Sequence, residues 1–212
     1  MTTNGEPIAG ERTIGFTLWL AEQEERLAEN QSIQPFESWT EPLLIRREWS
    51  MPSRWTFSMK PVSAFIERHL SGCEEVVDPF AGRSKYANHS NDLADSRMTA
   101  TEWLDQMIAD RGVGWADAVL LDPPYSPRQI AECYRGIGRK VNGKDTQNSR
   151  LYREAIERLD VLLKDGGKAI RCGWNTNGFG KTRGYVMNEV LLVAHGGAHN
   201  DTIITAETKV GR

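Results

Sequence analysis

No apolar run in the 212-residue chain approaches the ~20 residues that a membrane-spanning helix needs. The longest, such as residues 190–194, are a fraction of that length, so no membrane partner is expected. The first dozen residues, MTTNGEPIAGER, are polar and lack the apolar centre of a secretory signal. Cysteine is scarce: Cys73, Cys133 and Cys172 are scattered and odd in number. That excludes a disulfide framework and zinc-ligand spacing, and implies reduced thiols in a cytoplasmic setting. No metal site is expected; His195, His199 and Asp201 sit together in a turn without further ligands. Charge of one sign is also missing, with a net charge of −3 and a pI near 5.9, so any nucleic-acid surface must be a local patch. Neither GxGxxG nor GxxxxGK[ST] occurs, which removes the dinucleotide fingerprint and the phosphate loop. There is no internal repeat and no low-complexity tract.

What is present is an alternation of strands and helices. Residues 1–12 read as a flexible tail. Residues 13–212 read as a single domain with an N-terminal helical extension, its helix at 14–27. Residues 31–52, with three prolines, read as irregular. PVSAFIERHL (61–70) predicts a helix opened by proline, and EEVVD (74–78) a short strand. SKYANHSNDL (84–93) reads as a helical turn running into a second strand, and TATEWLDQMIAD (99–110) as a helix. DAVLLD (117–122) is an apolar run of buried-strand type, LYREAIERLDVLLK (151–164) an amphipathic helix, and KAIRCGW (168–174) a strand entered through Gly166-Gly167. NEVLLVAH (188–195) and DTIITAET (201–208) flank GGAHN and predict an antiparallel hairpin. The expected fold is α/β: a mostly parallel, doubly wound sheet ending in that hairpin.

Ligands of open α/β sheets bind beyond the carboxyl ends of the strands. DPFAG (78–82) stands after the first strand, Asp92 after the second, DPPY (122–125) after the third long apolar stretch, and Gly173-Trp174-Asn175 after the next. In DPFAG, Gly82 allows close backbone approach and Phe80 offers a flat surface; alone, the motif is equally a turn. Asp92 is placed to meet ribose hydroxyls, or is a surface aspartate. DPPY carries more. Proline fixes φ, and the residue before it is driven into extended backbone. Asp122 and the Pro123 carbonyl then stand side by side as two acceptors, a match for the two donors of an NH₂ group. Pro124 stiffens the edge, and Tyr125 is placed to stack on a flat ring.

The ordered set WTFSMKP (55–61), DPFAG, NDL (91–93), DPPYSPRQ (122–129), GWNTNGFGKTRG (173–184) and HGGAHNDTIITAE (195–207) resembles S-adenosylmethionine-dependent DNA amino-methyltransferases, closest to small phage-type adenine-N6 enzymes. It covers roughly three quarters of the chain. The resemblance implies a Rossmann-like methyltransferase domain of bacterial or phage origin. Its cofactor would be S-adenosylmethionine and its substrate double-stranded DNA. The methyl group would go to the N6 of a flipped adenine. The resemblance assigns Asp122, Pro123, Pro124 and Tyr125 to catalysis. It assigns Asp78, Phe80, Ala81 and Gly82 to the methionine part of the cofactor, Asp92 to its ribose, and Thr56, Phe57 and Lys60 to the methionine end. Asp122 also borders the cofactor. Two positions depart from the pattern: Arg83-Ser84 replaces a second glycine, and Thr99 stands where an acid often meets the cofactor adenine.

DNA contact is expected from a basic insertion at about 126–150, through Arg128, Arg139, Lys140 and Lys144, and from the glycine-rich loop 175–185, through Asn175, Lys181 and Arg183. Both segments also read as solvated loops. Trp55, Trp103 and Trp115 are expected to pack; Trp174 is placed to line the pocket. Cytosine-N4, an RNA base or a glutamine amide offers the same NH₂ chemistry, and a catalytically silent subunit of the same fold is the contrasting reading. No separate recognition domain is evident, so target recognition would fall to the insertion or to a second copy in a homodimer.

Overall fold

In the computed structural model of the chain, the described residues are 42–211 except 142, 144, 145 and 198. The tail at 1–12, the helix at 14–27 and Lys144 therefore lie outside the described residues. One seven-stranded sheet organises the described chain, in the order β1-β6-β7-β5-β4-β2-β3. The strands are β1 (Leu44–Trp49), β2 (Val76–Asp78), β3 (His89–Ser90), β4 (Ala116–Leu121), β5 (Leu163–Gly173), β6 (Tyr185–Ala194) and β7 (Thr202–Lys209). β2, β3, β4 and β5 run parallel, and β7 is antiparallel to both β5 and β6. The predicted parallel sheet ending in an antiparallel hairpin is thus observed. The chain order reverses at β2, between β3 on one side and β4 on the other, which opens a crevice at the strand ends.

Strand alternation divides the core into two layers. Val76, Ala118, Leu120, Ile170, Cys172, Leu191 and Ile204 meet Val62, Phe65 and Ile66 of helix α1 (Lys60–His69) on one face. Val77, Val119, Leu121 and Ala169 meet Leu104 of α3 (Ala100–Arg111) and Ala155, Ile156 and Leu159 of α5 (Asn148–Leu162) on the other. The short α2 (Leu93–Ser96) and α4 (Pro127–Gly136) lie near the strand ends, at the crevice.

Four local expectations are corrected. Residues 31–52 are not wholly irregular: LIRREW forms β1, paired in parallel with β6 although all six residues are exposed. Edge pairing through the backbone needs no buried face, so hydrophobic alternation gave no signal. Residues 84–88 form no helix; the short helix follows β3 instead, capped by Asp92. Gly166-Gly167 lies within β5, where the register with β4 shifts between Ala116↔Leu163 and Ala118↔Lys168. The insertion is not a simple loop, because residues 127–136 are helix α4. Ser126 caps it by accepting the Gln129 N–H, and Pro127 fills the first turn. The S-x-x-Q pattern with an intervening proline is the local cause.

Candidate active site

The acids expected at the strand ends converge there. Asp78 ends β2 and is fully buried; its Oδ1 accepts the Phe80 N–H at 3.0 Å, while its Oδ2 has no partner among the described residues. Burial, with Asp122 and Asp92 nearby, pushes its pKa up to about 8. Asp92 caps α2 by accepting the Ala94 N–H at 2.8 Å through Oδ1. Its Oδ2 makes no hydrogen bond among the described residues and faces Gly82, 3.9 Å from where a Cβ would stand. Gly82 has φ +55°, and a side chain there would meet Trp55 Cζ3 at 2.9 Å, so both backbone conformation and space demand glycine.

Asp122 follows β4. Its Oδ1 accepts a hydrogen bond from the Tyr125 hydroxyl, which lies 3.4 Å from Thr56 Oγ1. Burial raises the Asp122 pKa to about 6, against the lowering effect of the Tyr125 and Thr56 hydroxyls. No cation pairs with Asp122 among the described residues. Pro123 is buried, so the Pro-Pro edge is fixed by packing as well as by its rings. The Tyr125 N–H donates to Gln129 Oε1 at 2.6 Å, which ties the motif to the first turn of α4. Burial raises the Tyr125 pKa well above its ordinary value, so its hydroxyl remains a donor. Trp174 is partly exposed, with its ring 5.6 Å from that of Tyr125 at an interplanar angle of 64°.

Asp92, Asp122, Pro123 and Tyr125 border a cavity of about 1230 Å³, whereas Trp174, expected to line the pocket, meets it only through its contact with Tyr125. Single small-molecule sites occupy roughly 300–1,000 Å³, so this space accommodates a cofactor and a second group together. Thr56, Phe57, Phe80, Ala81, Gly82, Asp92, Thr99, Asp122, Pro123, Pro124 and Tyr125 all line it. Asp78 does not line it, but holds the lining residue Phe80 through that residue's amide. Lys60 is exposed at the start of α1 and does not line the cavity. Thr99 is committed to a capping box: its Oγ1 accepts the Glu102 N–H at 3.3 Å and donates to Glu102 Oε2 at 2.7 Å, while Glu102 Oε2 also accepts the Thr99 N–H at 2.8 Å. Glu102, three residues on, also lines the cavity, and the Thr99 amide and hydroxyl hold its pKa below the usual value.

The cationic candidates are dispersed. Arg139 lines the cavity and lies over the Tyr134 ring at 5.3 Å. Arg128 does not line the cavity and pairs at 2.9 Å with Glu132, which does; Lys140 is exposed. Asn175, Lys181 and Arg183 do not line the cavity. Their loop is anchored by buried Glu207 of β7, which accepts the Phe179 N–H and, at 3.3 Å, the Gly180 N–H. Gly178, with φ +60°, seats the backbone directly on that carboxylate.

Four residues carry more than their sequence pattern indicated. Asn91 is buried; its Nδ2 reaches the Pro79 and Met98 carbonyls, its Oδ1 accepts from Ser96, and its carbonyl accepts the Ala81 N–H. It ties DPFAG to the turn carrying Asp92, and its only signal was its place beside that acid. Gln129 was legible through its S-x-x-Q spacing. Trp55 was expected to pack, yet it lines the cavity; Trp103 and Trp115 do pack, against the second core layer. His195 does more than turn the hairpin: Nδ1 contacts the Ser50 carbonyl at 2.9 Å and Nε2 contacts Thr202 Oγ1 at 2.8 Å, fastening the end of β1.

No family model matches the chain, and no curated protein matches it. Among solved structures, it is similar to 1,6-didemethyltoxoflavin-N1-methyltransferase of Burkholderia thailandensis with bound 1,6-didemethyltoxoflavin and S-adenosylhomocysteine, at 12% identity, with 98% of this chain and 94% of that chain covered and a TM-score of 0.46. It is also similar to NSun6 from Pyrococcus horikoshii with SFG, at 15% identity and a TM-score of 0.39, with 81% of this chain covered but only 49% of that one. The antibiotic-resistance methyltransferase Kmr matches at 14% identity, 70% and 93% coverage, and a TM-score of 0.32. Likenesses this distant carry no argument about activity or ligand.

Proposed function

We propose that the chain transfers a methyl group from S-adenosylmethionine to the exocyclic N6 of adenine in DNA. The observation that carries the reading is Asp122: a carboxylate at the cavity wall, beyond the end of a buried strand, with hydroxyl donors and no paired cation among the described residues. Such a group is an acceptor awaiting N–H donors. The resemblance of the ordered motifs supplies the rest.

The residues fit the cofactor. The unpartnered Asp78 Oδ2 suits a polar hydrogen-bonding group, since burial holds that acid largely neutral below about pH 8, Asp92 Oδ2 suits ribose hydroxyls, and Gly82 leaves its turn open. Asp78 and Phe80 to Gly82 would hold the methionine part, and Asp92 the ribose. Bound there, the cofactor supplies an electrophilic methyl on a sulfonium.

The chain's own residues act on the amine. An adenine amine is a weak nucleophile because its lone pair is delocalised into the ring. Asp122 and the Pro123 carbonyl accept its two N–H bonds and favour a pyramidal nitrogen. This places stabilisation where charge develops. Tyr125 keeps Asp122 oriented and ionised through its hydroxyl. Tyr125 and Trp174 present aromatic surface to a base that leaves its stack, a step costing a few kcal/mol.

The test is incubation with labelled S-adenosylmethionine and unmethylated duplex DNA, followed by nucleoside mass spectrometry. N6-methyladenine is the expected product. N4-methylcytosine would keep the mechanism and change the base; label only in RNA or protein would overturn the substrate class. No transfer at all would favour a silent subunit.

A further inference from the structure

We infer that Arg54, Trp55 and Arg83 form a phosphate-binding rim for the nucleic acid whose amine enters the cavity; this rests on the function proposed above. Arg54 and Arg83 are exposed residues of the cavity lining. Their guanidinium carbons lie 4.8 Å and 5.0 Å from the Trp55 ring centroid. Neither makes an ion pair or hydrogen bond among the described residues. Stacking holds the plane of a guanidinium while leaving its N–H edges free, the arrangement that suits a planar, bidentate grip on an oxyanion. Trp55 is itself seated against Gly82, so the rim is built onto the cofactor-side turn. Lys85, also exposed in the lining and without an ion pair among the described residues, extends the positive edge.

Arg139 of the insertion is arranged as the rim is, over the Tyr134 ring in the lining, but three other arginines of the insertion and of the helix after it are not. Arg128 is paired with Glu132 at 2.9 Å, Arg150 with Glu154 at 2.6 Å and Arg153 with Glu157 at 3.9 Å. Each spends its charge on its own helix, whereas the rim cations do not. The rest of the cavity adds direction. Asp92 and Asp122 line it, so a phosphate is repelled from the acidic strand ends and drawn to the rim. A nucleotide is thereby oriented with base inward and phosphate outward. A cofactor carboxylate is the other oxyanion that such arginines grip, and the experiment separates the two.

The full chain, the double variant Arg54→Gln/Arg83→Gln, the double variant Arg54→Lys/Arg83→Lys and Arg128→Gln are compared. Binding of a fluorescein-labelled 20-mer DNA duplex is followed by anisotropy across a sodium chloride series, and binding of S-adenosylmethionine by calorimetry. Losing two phosphate contacts lowers the slope of log K against log salt by about two. The glutamine pair is expected to show that drop with cofactor affinity retained. The lysine pair keeps the charge and is expected to restore most of the slope, which excludes misfolding as the cause, and Arg128→Gln is expected to keep the wild-type slope. An unchanged slope in the glutamine pair overturns the rim, as does an unchanged slope with lost cofactor affinity, which assigns the arginines to the cofactor carboxylate. Wild-type chain that binds the duplex through these arginines but methylates no DNA sinks the proposed activity and leaves the rim standing.

Discussion

Two regions of one sheet bury carboxylates in opposite ways. On the hairpin side, Glu189 is only 3% exposed, yet it accepts from Arg68 at 2.8 Å and His69 at 2.9 Å and lies 3.2 Å from Arg46. Burial works against its ionised form, but those donors win and hold its pKa below the usual value. Burial also lowers the pKa of His69, so that ring is a neutral donor and the arginines carry the charge pairing. Glu207 is intermediate: burial raises it, while the Phe179 and Gly180 amides and nearby Arg171 oppose the rise. At the crevice, Asp78 has only the Phe80 amide and Asp122 only the Tyr125 and Thr56 hydroxyls, with no cation paired to either among the described residues, and their pKa values climb to about 8 and about 6. The hairpin acids complete a structure; the crevice acids keep unused capacity for a ligand. Uncompensated carboxylates persist where function selects them.

The sharpest break of that contrast is Asp122→Ala. Methyl transfer should fall about 10³-fold, the scale of removing one stabilising contact from a transition state, while calorimetry shows S-adenosylmethionine affinity nearly intact. Turnover within tenfold of wild type would remove Asp122 from the mechanism. The matching change on the hairpin side, Glu207→Ala, strands two backbone N–H groups and should cost about 3 kcal/mol. It would be read as a loss of thermal stability of roughly 10 °C. A melting temperature unchanged within error would mean that the loop at 175–184 does not depend on that carboxylate.

Asp78 sharpens the contrast through pH. Its folded pKa is raised, so between about pH 4 and pH 8 the unfolded chain ionises this group while the folded chain holds it neutral. Its contribution to stability is therefore present at low pH and is lost as pH rises across that window. Asp78→Asn should raise the melting temperature more at pH 8 than at pH 5; an equal change at both would show that Asp78 does not carry the slope. The smallest effect is expected from Tyr125→Phe. The lost hydroxyl lowered the Asp122 pKa, so its removal raises it. The activity profile should climb with pH through about 6 in the wild type, and its midpoint should move upward in the variant. An unmoved midpoint would uncouple the hydroxyl from the carboxylate.

Much of this was legible in local pattern. The apolar run before DPPY fixes β4 because a doubly covered strand must be apolar on both faces, as Val119 and Leu120 are on opposite layers. SPRQ carried a helix start that the basic composition of the insertion obscured. β1 was illegible because an exposed strand held by backbone pairing has no hydrophobic period. Thr99 is legible as a departure from the motif, whereas the engagement of its hydroxyl with Glu102 at the helix start is seen in the structure.

By itself the sequence determined the alternation of β2 to β7 with the longer helices α1, α3 and α5, the stiff acceptor edge of DPPY and the placement of three aspartates at strand ends. These follow from periodicity, proline geometry and chain order, all local. Only the tertiary structure decided which acids stay uncompensated, that Thr56 reaches Tyr125 across 69 positions, and that two arginines 29 positions apart share one tryptophan. Those are long-range pairings, and a charge's value depends on the partners and dielectric that folding brings to it.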